Sequence, residues 1–425
     1  MNRREFVKNA AIVSAGTMTL SNSALFAAGN QKMKVALVGC GNRGQGALKN
    51  FLEAATHLNI KAEIVGLADF FESRINKAVK EFGVSKEICV TGVKAYKDIM
   101  TTDADVVLLA TPPNFRPVHF EAAVNAGKHV FMEKPVAVDP PGARKIMETG
   151  EIAKQKGLAV VAGTQRRHQL EYLKTKYAID KGAIGAIRGG EIYWCTDTLW
   201  YKDRKPGEDD ASYMIRNWVS FTEMSGDHIV EQHLHNIDVS NWFIGRPPKM
   251  AIGFGGRTRR QTGNQFDFFS VDFDYGESVH VHSMCRQIDG CYNRVSEIFT
   301  GTDGGTWGSG PGKKEGEKFA RDIQVSDFPY VGNPYVQEHV DLINGILKGE
   351  PLNEASHVAT STLTGIMGRI SAYTGHLVRW KDLTENKKSP WYNLTLKPTA
   401  LDFESGTVTA PADDVVPVPG KACIG

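Results

Sequence analysis

Apolar residues follow two different rhythms along this 425-residue chain. Up to residue 162 they come as short unbroken runs: Val35–Val38, Ile64–Ala68, Val106–Ala110, Val130–Met132 and Leu158–Ala162. Longer stretches of helical periodicity separate them, among them one ending at Ala126 and one over Pro140–Lys156. Unbroken apolar runs alternating with helices predict strands buried on both faces, which is the situation of a parallel sheet with helices on either side. From residue 186 the rhythm changes. Ala186–Cys195, Met250–Arg257, Phe268–Arg286 and Val295–Thr302 read as strands, and Val271-x-Phe273-x-Tyr275 before Ser278–His282 predicts a hairpin around Gly276. Strands in succession without helices between them predict a mainly antiparallel, open sheet. Helices over Pro334–Lys348 and Ala355–His376 follow, the second with small residues at Ala359, Ser361, Gly365 and Gly368 that imply close packing. Residues 386–425 are rich in Pro and Asn and predict an extended tail.

The first run flows into Gly39-Cys-Gly41-Asn42-Arg43-Gly44 and then a helical stretch. A strand, this spacing and a helix are the setting of a dinucleotide-binding fingerprint. The first glycine allows the tight turn, the second a close approach to pyrophosphate, the third close helix packing. The second run ends in Asp69, 25 residues after Gly44, where a carboxylate holds a ribose 2′-hydroxyl and repels a 2′-phosphate. The expected cofactor is therefore NAD rather than NADP. The expected fold class is α/β: an N-terminal Rossmann doubly wound parallel sheet over residues 31–156, then an α+β domain over 157–385, then the tail.

Residues 1–30 are read as a targeting segment and not as fold. Arg3-Arg4-Glu-Phe6-Val-Lys8 precedes an apolar stretch over Ala10–Leu20 and a run rich in small residues. This is a basic, apolar and small-residue sequence of the secretory kind, and its apolar part is too short to span a bilayer. The paired arginines resemble a twin-arginine export signal, with the Sec route as the alternative. Twin-arginine export carries folded proteins, which suits a periplasmic protein whose nicotinamide cofactor is loaded in the cytoplasm, tightly held and regenerated in place. A formal net charge of +2 gives no electrostatic case for nucleic acid or a membrane surface. Six cysteines, at 40, 89, 195, 285, 291 and 423, show no metal-finger spacing. Cys285 and Cys291 are close enough in sequence to meet across a hairpin.

The chain resembles the glucose–fructose oxidoreductase, inositol dehydrogenase and MocA family of two-domain NAD(P)-dependent oxidoreductases, over about residues 33–385. The resemblance rests on Val38–Gly44, Ala68-Asp69, Thr111-Pro112-Pro113, Gly127-Lys-His-Val-x-x-Glu133-Lys134-Pro135 and Gly163-Thr-Gln165-Arg166-Arg167. It implies that Lys134 is the catalytic lysine beside nicotinamide and substrate. Cofactor contacts are expected from Gly39, Gly41, Asn42, Arg43, Gly44, Asp69, Thr111, Pro112, Pro113, His119, Glu133, Lys134 and Gln165. It also implies that the open sheet forms one wall of the substrate cleft and an interface between copies of the chain.

A second dense segment, Gly226–Trp242, carries Asp227, His228, Glu231, His233, His235 and Asp238. Apolar residues at 230, 234, 237 and 239 predict a helix on which Glu231 and His235, four apart, share a face that Asp238 continues. The family has an Asp-x-x-x-His-x-x-Asp pattern on this helix. His235 matches its proposed general base and Asp238 its final acid, while Glu231 stands where the family has Asp. A neighbouring carboxylate would orient the imidazole and raise its pKa. A divalent metal held by Asp227, His228, Glu231, His233 and His235 is the competing reading. Substrate contacts are expected from Lys134, Arg166, Trp200, His235 and Asp238. One of Arg166 and Arg167 is expected near the cleft and the other on the surface, and Trp194, Trp200, Tyr201, Trp218 and Trp307 offer faces for a sugar ring, with ordinary core packing as the alternative. Asp203–Ser212 reads as a polar loop. The expected activity is hydride transfer between NAD and a sugar, glycoside or polyol. A redox-neutral glycosidase or lyase and a non-catalytic sugar-binding protein are the alternatives.

Overall fold

The computed structural model describes residues 32–309, 330–413 and 415–421. The export signal expected over 1–30 and Cys423 lie outside the described residues.

Six strands form the first sheet: β1 (Lys32–Val38), β2 (Lys61–Asp69), β3 (Cys89–Thr91), β4 (Val106–Leu109), β5 (His129–Met132) and β6 (Val160–Ala162). Their order is β3-β2-β1-β4-β5-β6, and every pairing is parallel. The connections are α1 (Asn42–His57), α2 (Glu72–Phe82), α3 (Ala95–Met100), α4 (Arg116–Asn125) and α5 (Pro140–Gln155). Side chains alternate along each strand, so both faces need apolar cover. Val35, Leu37 and Leu108 pack with Phe51 of α1 on one face, while Ala36, Val38 and Leu109 pack with Phe120 of α4 on the other. This two-sided burial is why the runs are unbroken in sequence. Strand order reverses between β1 and β4, and it is beside such a reversal that ligands bind in sheets of this kind.

The helix α6 (Leu170–Asp180) leads to a second sheet of β7 (Ile187–Thr196), β8 (Met250–Gly256), β9 (Phe268–Asp274), β10 (His280–Gln287), β11 (Arg294–Gly301), β12 (Gly305–Ser309) and β13 (Val378–Arg379), in the order β12-β11-β7-β10-β9-β8-β13. It is antiparallel except for β7 beside β10. Between β7 and β8 come α7 (Asp210–Arg216), α8 (Thr222–Ser225), α9 (His228–Glu231) and α10 (Leu234–Ile244). The helices α11 (Pro334–Lys348), α12 (Ala355–Thr374), α13 (Trp380–Thr384) and α14 (Ala400–Ser405) complete the described chain. One face of the second sheet packs on Ile237, Ile366 and Ile370 of α10 and α12. On the other, Ile252 and Phe254 are 60% and 64% exposed. The hairpin forms where the sequence predicts it, with Gly276 at φ +81°.

The boundary drawn at residue 156 falls short, because β6 pairs with β5 inside the first sheet. That sheet also recruits the distant chain. Val336, Val340 and Ile343 of α11 join its core on one face and Ala355, Val358 and Ala359 of α12 on the other. The tail is not extended throughout: Thr399 and Asp402 form a reciprocal cap that starts α14. Cys285 and Cys291 are free thiols, the first buried and the second exposed.

Candidate active site

The loop from β1 to α1 is shaped by its glycines. Gly39 has φ +102°, and a Cβ there would stand 2.6 Å from the Ala110 carbonyl carbon. A Cβ on Gly44 would overlap the Gly39 carbonyl oxygen. A Cβ on Gly41 would meet nothing within 4 Å, since this position faces open space at the start of α1. That space is a cavity of about 460 Å³, lined by Gly39–Gln45 and reaching Asp69, Thr111, Pro112 and His119. The open cradle at Gly41 and the free amides of the first turn of α1 fit a pyrophosphate. Asp69 accepts hydrogen bonds from the Cys40 amide (2.7 Å) and the Phe71 amide (2.8 Å). Burial pushes its pKa up against the opposing effect of Arg74. Each carboxylate oxygen has two lone pairs, so Asp69 keeps acceptor capacity toward the cavity it lines. His119 contacts the Thr111 hydroxyl (3.1 Å) and stacks on Tyr96. Pro113 is buried in the turn that starts α4 and does not line the cavity.

Arg43 and Asn42 line the same cavity. Arg43 turns from it to pair with Glu133 and lies 3.5 Å from Glu338 of α11. Glu338 is buried, and burial followed by the Glu133 charge raises its pKa well above the usual carboxylate range. Lys134 follows Glu133 at the carboxyl end of β5. Its Nζ donates to the Glu231 carbonyl oxygen (2.7 Å) and lies 3.1 Å from Glu231 Oε1.

The predicted helix through Glu231, His235 and Asp238 is broken. It stops at Glu231 and restarts at Leu234, because α9 and α10 are separate helices. The three side chains therefore take different partners. Glu231 holds Lys134. Asp238 is buried away from the cleft and takes a two-pronged bond from Arg167 (2.8 and 2.9 Å) and one from the Ser361 hydroxyl (2.8 Å). His235 stacks on Trp194, ring centroids 5.6 Å apart, and its Nδ1 is buried without a hydrogen-bond partner. The expectation of a raised imidazole pKa is overturned. Burial first, then the Lys134, Arg166 and Arg43 charges, push it well below the ordinary histidine value.

A tight turn over Gln165–His168 follows β6 and fans out its side chains. Gln165 reaches the Tyr335 hydroxyl (3.4 Å). Arg166 pairs with buried Glu297, which also accepts from the Tyr172 hydroxyl (3.1 Å). His168 lies 2.5 Å from Asp341 and 3.3 Å from Glu354. Burial opposes its charge, but Glu354 and Asp341 overcome that and push its pKa up to about 10. Neither arginine is a surface residue, in contrast to the sequence expectation: both are paired with buried carboxylates.

Trp200 is also displaced from its expected place. It and Trp218 line the dinucleotide cavity, not the group around Lys134 and His235. The five residues of the metal reading disperse. His228 contacts Asp227, His233 contacts Ser283 (2.8 Å) and Glu231 holds Lys134. Among the described residues no group of three or more His, Cys, Asp or Glu is placed to hold a metal ion. Glu297, Tyr172, Glu338 and Asp341 escape sequence reasoning, since each acts through a partner far away along the chain. An inward-facing acid within a strand is the one signal that could have found Glu297.

Fold and site together define a Rossmann-type dinucleotide protein with a second, open-sheet unit. The model of an oxidoreductase family with an NAD-binding Rossmann fold matches residues 33–164. Over those residues the chain carries the nucleotide-binding unit of the glucose–fructose oxidoreductase, inositol dehydrogenase and MocA family. Inositol 2-dehydrogenase/D-chiro-inositol 3-dehydrogenase of Lactiplantibacillus plantarum is 26% identical over 215 residues, covering 50% of this chain and 52% of that protein. Glycosyl hydrolase family 109 protein 2 of Shewanella sp. strain ANA-3 is 27% identical over 190 residues, covering 43% and 40%. The chain thus spans about half the length of the curated relatives it matches. Levoglucosan dehydrogenase, solved with NADH and levoglucosan, superposes with a TM-score of 0.64 at 17% identity, over 82% of this chain and 99% of that one. At that identity the likeness is one of fold.

Proposed function

We propose that the protein is an exported oxidoreductase that moves hydride between a tightly held NAD and a carbon of a sugar, glycoside or polyol. The observation that carries this reading is the Lys134–Glu231 pair, whose lysine charge acts on buried His235 together with that of Arg43, a residue that lines the glycine-loop cavity. Bound NAD would supply the hydride acceptor. Glu231 fixes the Lys134 ammonium through two contacts, so its charge is available to a substrate oxygen without rearrangement. His235 is kept neutral by burial and cationic neighbours, which leaves its imidazole ready to take a hydroxyl proton. Trp194 stacks on that ring and holds its plane. Asp69 favours NAD over NADP at the ribose end. Arg3 and Arg4 support export by the twin-arginine route, and the exposed Ile252 and Phe254 support association of copies through the open sheet.

A second reading is favoured by one observation, the likeness to glycosyl hydrolase family 109 proteins. In it the same residues serve a redox-neutral cycle of oxidation, elimination, hydration and reduction. One experiment separates the two. The purified protein is denatured to identify the released dinucleotide, and intact protein is given glycosides and polyols with no cofactor added. A keto product with reduction of the bound dinucleotide supports the dehydrogenase, and net hydrolysis with no redox change supports the second reading. Protein that carries no dinucleotide and binds neither NAD nor NADP sinks both.

A further inference from the structure

Part of the lining of the dinucleotide cavity does not come from the nucleotide-binding unit. Trp200, Lys202, Ile215, Arg216 and Trp218 supply it, all from the segment between β7 and α8. The chain leaves the second sheet at Thr196, crosses to the first unit, and returns at Thr222. We infer that residues 197–218 are a cofactor-binding cap, pinned by the C-terminal strap around α14, and that this cap retains the dinucleotide through turnover. The inference rests on the proposed reading that the cavity takes a dinucleotide.

Three sets of contacts make the segment a built wall and not a loop resting on the surface. Its two ends are tied together: the Lys202 amide donates to Asn217 Oδ1 (2.8 Å), and Asn217 Nδ2 donates to the Lys202 carbonyl oxygen (2.5 Å). Asn217 itself is fully buried. Its polar stretch is internally paired, Arg216 with Glu208 and Arg204 with Asp210, while Arg216 also donates to the Asp203 carbonyl oxygen (2.8 Å). The segment that reads as a polar loop is therefore anchored at both charged ends.

The third set comes from the C-terminus. Phe403 packs edge-on against Phe115, centroids 5.1 Å apart, and shares a small apolar core with Tyr213, Met214, Ile215 and Phe221. Phe115 and Ile215 line the cavity, so one cluster joins the nucleotide unit, the crossing segment and the strap. Glu404 accepts from the Tyr96 hydroxyl (2.7 Å) and pairs with Lys97 (2.6 Å), both on α3 of the first unit. The Ala410 amide donates to Asp210 (2.9 Å), and Asp413 accepts from the Gly263 amide (2.6 Å). The strap thus grips the first unit through α14 and the crossing segment through residue 410.

The physical consequence is kinetic. A ligand held between the glycine loop and a pinned wall leaves more slowly than one held by the loop alone, and moving this wall breaks an apolar cluster and several partly buried hydrogen bonds together. Trp200 and Trp218 offer flat apolar faces of the kind an adenine ring stacks on. Lys202, whose Nζ lies 5.6 Å from the Trp200 ring centroid, brings a cation to the same wall.

The test is the exchange of bound NAD, independent of catalysis. Full-length protein is loaded with NAD labelled in the adenine, freed of excess, and challenged with a large excess of unlabelled NAD. Label retained by the protein is followed over time. Wild type is expected to lose label over hours. Removal of residues 399–425 is expected to speed the loss at least tenfold, and Trp218→Ala to speed it while weakening equilibrium binding. Phe403→Ala carries the same expectation as the truncation and serves where the truncated chain does not fold. Circular dichroism and melting of the nucleotide-free forms identify folded variants. Exchange in wild type within seconds, or unchanged exchange in folded Phe403→Ala and Trp218→Ala, overturns the cap. Wild type that takes up no NAD at all overturns the reading of the cavity instead.

Discussion

A side chain at Gly41 would project into open space, while one at Gly44 would collide with the Gly39 carbonyl oxygen. The two glycines therefore answer to different demands, Gly41 to a ligand and Gly44 to the packing of α1. Gly41→Val should leave the melting temperature of nucleotide-free protein nearly unchanged and abolish dinucleotide binding, read by calorimetric titration. At the other end of the site, Lys134→Ala and His235→Ala should keep the dinucleotide and lose about 10²- to 10⁴-fold in turnover, the usual range for a positioned acid or base. The pH profile of kcat/KM tests the histidine further. Its pKa is held well below the ordinary value near 6.5, so the basic form persists as pH falls. The acid limb is expected well below pH 6.5, and a limb at or above 6.5 that vanishes in His235→Ala would contradict the electrostatic setting described above.

Among the elements, the strands and helices of the first sheet were legible because two-sided burial writes itself as unbroken apolar runs. The pairing partner of a strand was not: β7 lies parallel to β10, more than eighty residues on, and no local pattern carries that information. The division of one predicted helix into α9 and α10 was also hidden. Apolar residues at 230, 234, 237 and 239 fit a continuous helix, and it is the demand of Lys134 for the Glu231 carbonyl oxygen that meets the chain where α9 ends. Lys134 and His235 were singled out from sequence, and the structure places the lysine charge within reach of the imidazole, whereas the partners around them were not legible there. Arg43 meets Glu133 across 90 residues and Arg166 meets Glu297 across 131. The crossing segment was misread for the same reason, since its polar residues pair with one another and its aromatic residues face a different unit. The open sheet gives a test at this scale. Ile252→Asp together with Phe254→Asp should shift the protein to a smaller species in sedimentation velocity, with the fold intact. An unchanged sedimentation coefficient would remove the case for association through this face.

For the whole molecule, the buried histidines set the response to acid. Six of the twelve histidines, His119, His129, His233, His235, His339 and His357, have pKa values pushed down chiefly by burial. They stay neutral when folded but take up protons when unfolded below about pH 6.5, so the unfolded state binds more protons there and stability rises with pH. The unfolding free energy should fall steadily from about pH 6.5 to pH 4, each group adding at most ~1.4 kcal/mol per pH unit. A flat denaturation midpoint across that range would contradict the burial of these rings. His168 acts in the opposite sense. Its pKa is raised to about 10, so its contribution is present below pH 6.5 and is lost as pH climbs toward 10. On the proposed twin-arginine route, Arg3→Lys with Arg4→Lys should leave folded, dinucleotide-loaded precursor in the cytoplasm, detected by cell fractionation. The edge of the first sheet brings synthesis into view. Val160 donates its amide to the Leu352 carbonyl oxygen (2.7 Å), and Glu354 returns a bond to Val160 (2.9 Å). At roughly 5–20 residues per second, β6 leaves the ribosome on the order of 10–40 s before the segment that covers its edge. During that interval a nascent chain presents an unpaired strand, the feature by which sheets capture foreign chains. A message broken between those two points would yield a chain with all six strands of the first sheet but without the α12 cover and the partner of its edge, a natural substrate for chaperones and proteases.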